Sequence, residues 1–210
     1  MRIDATKVIE HLDAARTLAL AGDAEGVHDV RSVSRRLRVW LDFKGHAALQ
    51  EELRWLGHAL ARARDLDVSD GALTAAARAE LRGLAMTASA QALQSKRWLS
   101  LREKLERVKA PKKAKAKRAL PRLERKLKKT RGSMKPSDLH RLRRAVRRLR
   151  YAREWMGIDA KDLAAEQERL GAVCDLLALR AFAERHRVEV PSALLAGIDA
   201  AFAMISGSAS

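Results

Sequence analysis

The chain has one cysteine, Cys174, in 210 residues. No intramolecular disulfide is possible and a lone thiol fits a reducing compartment; its neighbours Val173, Leu176 and Leu177 predict that it is buried. There are only four prolines, and aromatic residues make up 4%. With few β-branched runs as well, strands are not expected, and the dominance of Ala, Leu, Arg, Glu and Lys predicts an all-α protein. No apolar run approaches the 18 residues of a membrane span. Asp4, Lys7, Glu10, Asp13 and Arg16 interrupt the first helical stretch, so it does not read as a secretory signal. A cytoplasmic protein is expected.

Acidic residues are nearly absent from one segment. Residues 109–153 hold 20 Lys and Arg against Glu124 and Asp138, whereas the rest of the chain carries 23 basic and 24 acidic residues. One stretch therefore supplies the whole net charge of +17, which points to a polyanionic partner rather than to a generally basic surface.

What is present in its place is a stretch that occurs twice, HDVRSVSRRLR from His28 and HRLRRAVRRLR from His140. The pairs His28/His140, Arg31/Arg143, Arg35/Arg147, Arg36/Arg148, Leu37/Leu149 and Arg38/Arg150 are identical. On a helix His28, Arg31, Arg35 and Arg38 fall within an arc of about 80°, while Val30, Val33, Leu37, Trp40 and Leu41 gather on a stripe roughly opposite. In the second copy Leu142, Ala145, Val146, Leu149 and Met156 form the stripe, and Arg144 joins the basic residues. Each copy thus presents a row of a histidine and several arginines along about 15 Å of helix.

The remaining segments read as helices around these rows. The first runs from a cap at Asp4 to about Ala21, with Gly22 ending it, and Asp23 caps the first row helix, which stops before Gly45. A third helix carries Leu49, Leu53, Leu56 and Leu60. A long fourth one reaches from Asp70 to Val108, with an irregularity at Gly83. In 109–131, Pro111 and Pro121 limit continuous helix, so a frayed beginning is expected before a packed stretch bearing Leu120, Leu123 and Leu127. After a turn at 132–136, Ser137 caps the second row helix, which ends at Gly157. Asp159 starts the next, and a last helix follows Pro191. Trp40, Trp55, Trp98 and Trp155 are expected in the core. RWLG at Arg54–Gly57 matches RLG at Arg169–Gly171, each one helix after a row. Two four-helix units, 1–108 and 109–206, with a tail at 207–210, would pack about an approximate internal twofold with the rows facing a basic central groove or pore.

The duplicated HxxRxxxRRLR, together with ARDLDV at Ala63–Val68 and Tyr151 after the second row, resembles the CHAD domain, an all-helical family named for its histidines. The resemblance spans nearly the whole chain. It implies binding of inorganic polyphosphate by basic residues lining a pore between two four-helix bundles, and association with polyphosphate granules in a bacterial cytoplasm. Members of this family are often joined to a triphosphate-tunnel domain with an ExExK motif; none occurs here, so its phosphatase chemistry is not carried over. In the second half the counterpart of Arg64–Asp65 is Cys174–Asp175.

Arginine suits such a ligand because its planar, permanently charged fork gives two parallel hydrogen bonds to one phosphate. The expected polyphosphate-binding residues are His28, Arg31, Arg35, Arg36, Arg38, Arg64, His140, Arg143, Arg144, Arg147, Arg148 and Arg150. Lys112, Lys113 and Lys126 add a looser attraction, screened over about 8 Å at physiological salt. His11, His46, His58 and His186 have no paired ligand spacing, so neither a metal nor a cofactor is expected. The rows contain one acid, Asp29, where phosphoryl transfer would need carboxylates holding metal ions, so a non-enzymatic binding module is the preferred reading. Asp65, Asp67 and Asp70 form an acidic cluster that reads as a helix break and cap. Nucleic acid is the leading alternative partner, since its phosphates attract the same arginines, although no helix-turn-helix spacing or aromatic platform is present.

Overall fold

The computed structural model describes residues 5–61, 75–108, 113–131 and 138–186, together with Ser192, Ala196, Gly197 and Ala200. Eight helices and no strand occur among the described residues: α1 (Ala5–Leu20), α2 (Ala24–Lys44), α3 (Ala47–Ala59), α4 (Ala75–Gln94), α5 (Lys96–Glu106), α6 (Lys113–Arg131), α7 (Leu139–Met156) and α8 (Lys161–His186). The chain forms two compact units, residues 1–116 and 117–210. The caps expected at Asp4 and Ser137, the Asp65–Asp67–Asp70 cluster, the turn at 132–136 and the helix after Pro191 lie outside the described residues.

In the first unit the α1–α2 corner follows from local chemistry. Gly22 takes φ 88°, and Asp23 accepts a hydrogen bond from the Glu25 backbone at 2.8 Å, capping α2. Gly45 closes α2 in the left-handed region at φ 76°. The apolar stripe of α2 is buried in full, with Val30, Val33, Leu37, Trp40 and Leu41 against Leu12 and Ala15 of α1 and Leu53 and Leu56 of α3 in one core. Truncating a side chain the size of Trp40 here would cost about 3–5 kcal/mol.

The long fourth helix is two. The break falls at Ser95, not Gly83, because the Ser95 hydroxyl accepts from the Trp98 backbone at 3.1 Å and starts a new helix. Trp98 is thereby turned into the core beside Leu101 and Leu105, and among the described residues five helices precede residue 108. Arg102 of α5 clamps Asp13 of α1 with Nε at 2.7 Å and Nη2 at 2.6 Å, which raises the Arg102 pKa, and the Arg16 Nε donates to the Leu93 carbonyl at 2.9 Å. Trp55 is not in the core. It is half-buried on α3, where the Arg97 guanidinium lies 4.2 Å above its ring while also gripping Glu52, so a cation rather than apolar packing covers it.

In the second unit α7 buries Leu139, Leu142, Val146, Leu149, Tyr151 and Trp155, while α8 contributes Leu163, Leu170, Val173 and Cys174. Ala145 and Met156 of the expected stripe are half-buried. Pro121 lies inside α6 and does not end it. It sits on the exposed side, where the missing N–H costs one ladder bond, while Leu123 and Leu127 anchor the opposite side.

Gly26 marks the closest approach in the α1–α2 corner. A Cβ there would lie 2.7 Å from the Leu18 carbonyl carbon and closer still to the Ala19 nitrogen, both rigid backbone. Gly26→Ala is therefore expected to destabilise the protein by about 2 kcal/mol or more, measured by urea unfolding against Gly57→Ala, which meets no neighbouring atom.

Candidate functional site

Because the apolar stripes of α2 and α7 face their cores, the geometry of a helix leaves the arginines on the other side. On α2, His28, Arg31, Arg35, Arg36 and Arg38 are all half-buried. The His28 Nδ1 stands 3.7 Å from both Glu25 and Asp29, and Asp29 also faces the His11 Nε2 of α1 at 3.5 Å. On α7, His140 and Arg144 are exposed, and Arg143, Arg147, Arg148 and Arg150 are half-buried. Such partial burial suits arginine, whose methylene stem lies along apolar surface while the fork reaches outward.

Each row rests one arginine on the following helix. The Arg31 Nη1 donates to the Gly57 carbonyl of α3 at 3.2 Å. The Arg143 guanidinium lies over Gly171 of α8, its Nη2 3.2 Å from where a Cβ would stand. The glycines of the RWLG and RLG matches are thus the places where one arginine of each row meets the following helix. Sequence spacing flagged the glycines; the contacts, 26 residues apart in the first case, needed the fold.

Acids reach α7 from beyond its own row. Arg143 is 3.7 Å from Asp175, and Arg150 pairs with Glu154 at 2.7 Å. Arg153, outside the expected set, lies 3.5 Å from Glu124 and 3.4 Å from Asp162. The absence of acids from Leu139 to Arg153 therefore does not leave the row without carboxylates: Asp175 of α8 reaches Arg143, and Glu154, just beyond that stretch, pairs with Arg150. Arg143 and Arg150 line an open cleft of about 570 Å³ whose other wall is Gln167, Glu168, Gly171 and Asp175 of α8. The Arg143 Nε is buried there and meets no acceptor among the described residues, a donor that an anion could satisfy.

Of the other expected residues, Lys126 is exposed on α6, apart from the row helix, and Lys113 is the first residue of α6. Arg64 and Lys112 lie outside the described residues. Among the described residues no group of three or more His, Cys, Asp or Glu is placed to hold a metal ion. No described helix is long and apolar enough to cross a membrane.

What these features define is an all-α protein whose amphipathic helices carry arginine rows, in each unit braced on a glycine of the next helix. The particular family follows from comparison: a model of the CHAD domain matches residues 4–184, and the chain belongs to that family. The crystal structure of the CHAD domain from the plant Ricinus communis is similar, with a TM-score of 0.68 and 26% identity over 95% of this chain and 83% of that one. No curated protein matches this chain. Family membership is consistent with polyphosphate binding in general.

Cys174 is buried on α8 within reach of the Arg143 guanidinium. Burial pushes its thiol above the ordinary value, and the nearby Arg143 guanidinium only partly opposes this. A protonated, buried thiol is a poor nucleophile. A disulfide reagent at about pH 8 is accordingly expected to leave Cys174 untouched in the folded protein and to label it fully in guanidinium chloride; rapid labelling of the folded form would contradict this.

Proposed function

We propose that this chain binds inorganic polyphosphate through the two arginine and histidine rows, with His28, Arg31, Arg35, Arg36 and Arg38 on α2 and His140, Arg143, Arg144, Arg147, Arg148 and Arg150 on α7. The observation that carries the reading is that both row helices bury their apolar stripe while every one of these cations keeps some exposure. A polyphosphate thread has no bases or sugars to read, so closely spaced bidentate donors suffice for its recognition. Two rows on one chain also turn the second contact into an intramolecular event, which favours long polymers over short ones.

Family membership supports the reading, as do the matching Arg31–Gly57 and Arg143–Gly171 contacts, which suit a duplicated unit with repeats at 1–108 and 109–206. Arg64, Lys112, Lys113 and Lys126 are assigned to the same ligand on sequence alone. The chain works as a binding module without turnover, since the rows hold donors and only one acid, Asp29. Its place is the cytoplasm, on polyphosphate granules.

The test is charge reversal in both rows. Arg35→Glu with Arg147→Glu is expected to weaken binding of long-chain polyphosphate by at least about 100-fold, because each substitution both removes a charge-assisted donor and adds a repulsive charge. Helical content by circular dichroism is expected to be kept, as neither side chain is in the core. Binding by the variant equal to that of the parent would move the site away from the rows.

A further inference from the structure

Helix α6 carries a second basic surface that the rows do not explain. At about 100° per residue, Arg118, Arg122, Arg125 and Lys129 form one stripe about 60° wide along roughly 17 Å of helix, with Lys126 and Lys128 flanking it on either side. All six are exposed. The opposite face holds the buried Leu123, Leu127 and Thr130. Two ion pairs that tie α6 to its own unit, Glu124 with Arg153 and Arg131 with Glu166, leave from the edges of the helix. Glu124 is the sole acid of α6.

The first unit supplies an internal control. Helix α1 also precedes a row helix, yet it balances Lys7 and Arg16 against Glu10 and Asp13, and Asp13 is spent on Arg102. A row helix therefore does not require a basic neighbour, and the α6 face serves something else.

We propose that the exposed face of α6 docks duplex nucleic acid through its phosphates, independently of sequence. The distribution of cations separates this partner from the others. A single polyphosphate thread touches one line of a convex helix, whereas the stripe with cations on both flanks matches the two phosphate walls of a major groove, which is about 12 Å wide and admits one helix. A lipid surface would also need apolar side chains to insert. The leucines of α6 lie on the other face, two of them buried. No Asn or Gln stands anywhere on α6 to pair with adenine, and the cations on both flanks face the phosphate walls, so phosphate contact outweighs any arginine contact with guanine. This inference stands apart from the rows and from what they bind.

The test uses the full chain and labelled duplexes of two unrelated sequences, followed by fluorescence anisotropy over a salt series. Both duplexes should bind alike, with log K falling against log salt at a slope of about −0.9 for each phosphate contacted. Arg118→Glu with Arg125→Glu should make that slope shallower by about 2 and weaken binding on the order of tenfold or more at low salt. The row variant, Arg35→Glu with Arg147→Glu, should keep its duplex affinity. Should the α6 variant lose helical content, Arg118→Gln with Arg125→Gln is measured in its place, with the same change of slope expected. Failure of the parent to bind duplex, an unchanged α6 variant, loss of duplex binding by the row variant, or tighter binding to phosphatidylserine vesicles than to duplex would each overturn the proposal.

Discussion

An arginine cannot be sunk into an apolar core without a partner, and that constraint organises both units. In α2 and α7 the apolar positions recur at helical spacing, so burial of Leu37, Trp40, Leu149 and Trp155 fixes the rotation of each helix about its axis. Once the rotation is fixed, the guanidiniums have one place to go. The rows are thus held in register by the hydrophobic effect acting on residues that take no part in binding, and hydrogen bonding needs to fix only their ends.

Those ends are set by contacts with the following helix and, at Arg150, within the row helix itself. Arg31 meets the Gly57 carbonyl and Arg143 covers Gly171, while Arg150 is held by Glu154. Such partners cost the rows some positive charge but would reduce the entropy lost on binding the proposed anion, because a fork already oriented loses less freedom. The cleft beside Arg143 shows the compromise. Its α8 wall carries Glu168 and Asp175 opposite two arginines, so the second row is tuned and not simply maximally basic.

Much of this was legible in the sequence, and the exceptions have physical reasons. Gly22, Asp23 and Gly45 announce the bounds of α2 because turn and cap chemistry is local. The duplicated row announces the site because residue type and spacing survive in one dimension. The break at Ser95 was missed, since a serine in a helical run signals a cap only when its hydroxyl turns to the Trp98 backbone. Pro121 misled in the other direction, because leucines on the opposite side of α6 outweigh the lost hydrogen bond. Trp55 left the core for a stack with Arg97, a pairing between α3 and α5 that no local window contains. The carboxylates around α7 escaped for the same reason: Asp175 and Glu124 come from other helices.

The central claim is that both duplicated rows grip one class of linear polyanion. It is tested most directly by following the arginine Nε–Hε resonances by nuclear magnetic resonance while long-chain polyphosphate is titrated in. Shifts at Arg35, Arg36 and Arg38 together with Arg147, Arg148 and Arg150, saturating at one common concentration, are the predicted result. Shifts confined to Arg118 and Arg125 of α6, with the rows silent, would contradict it.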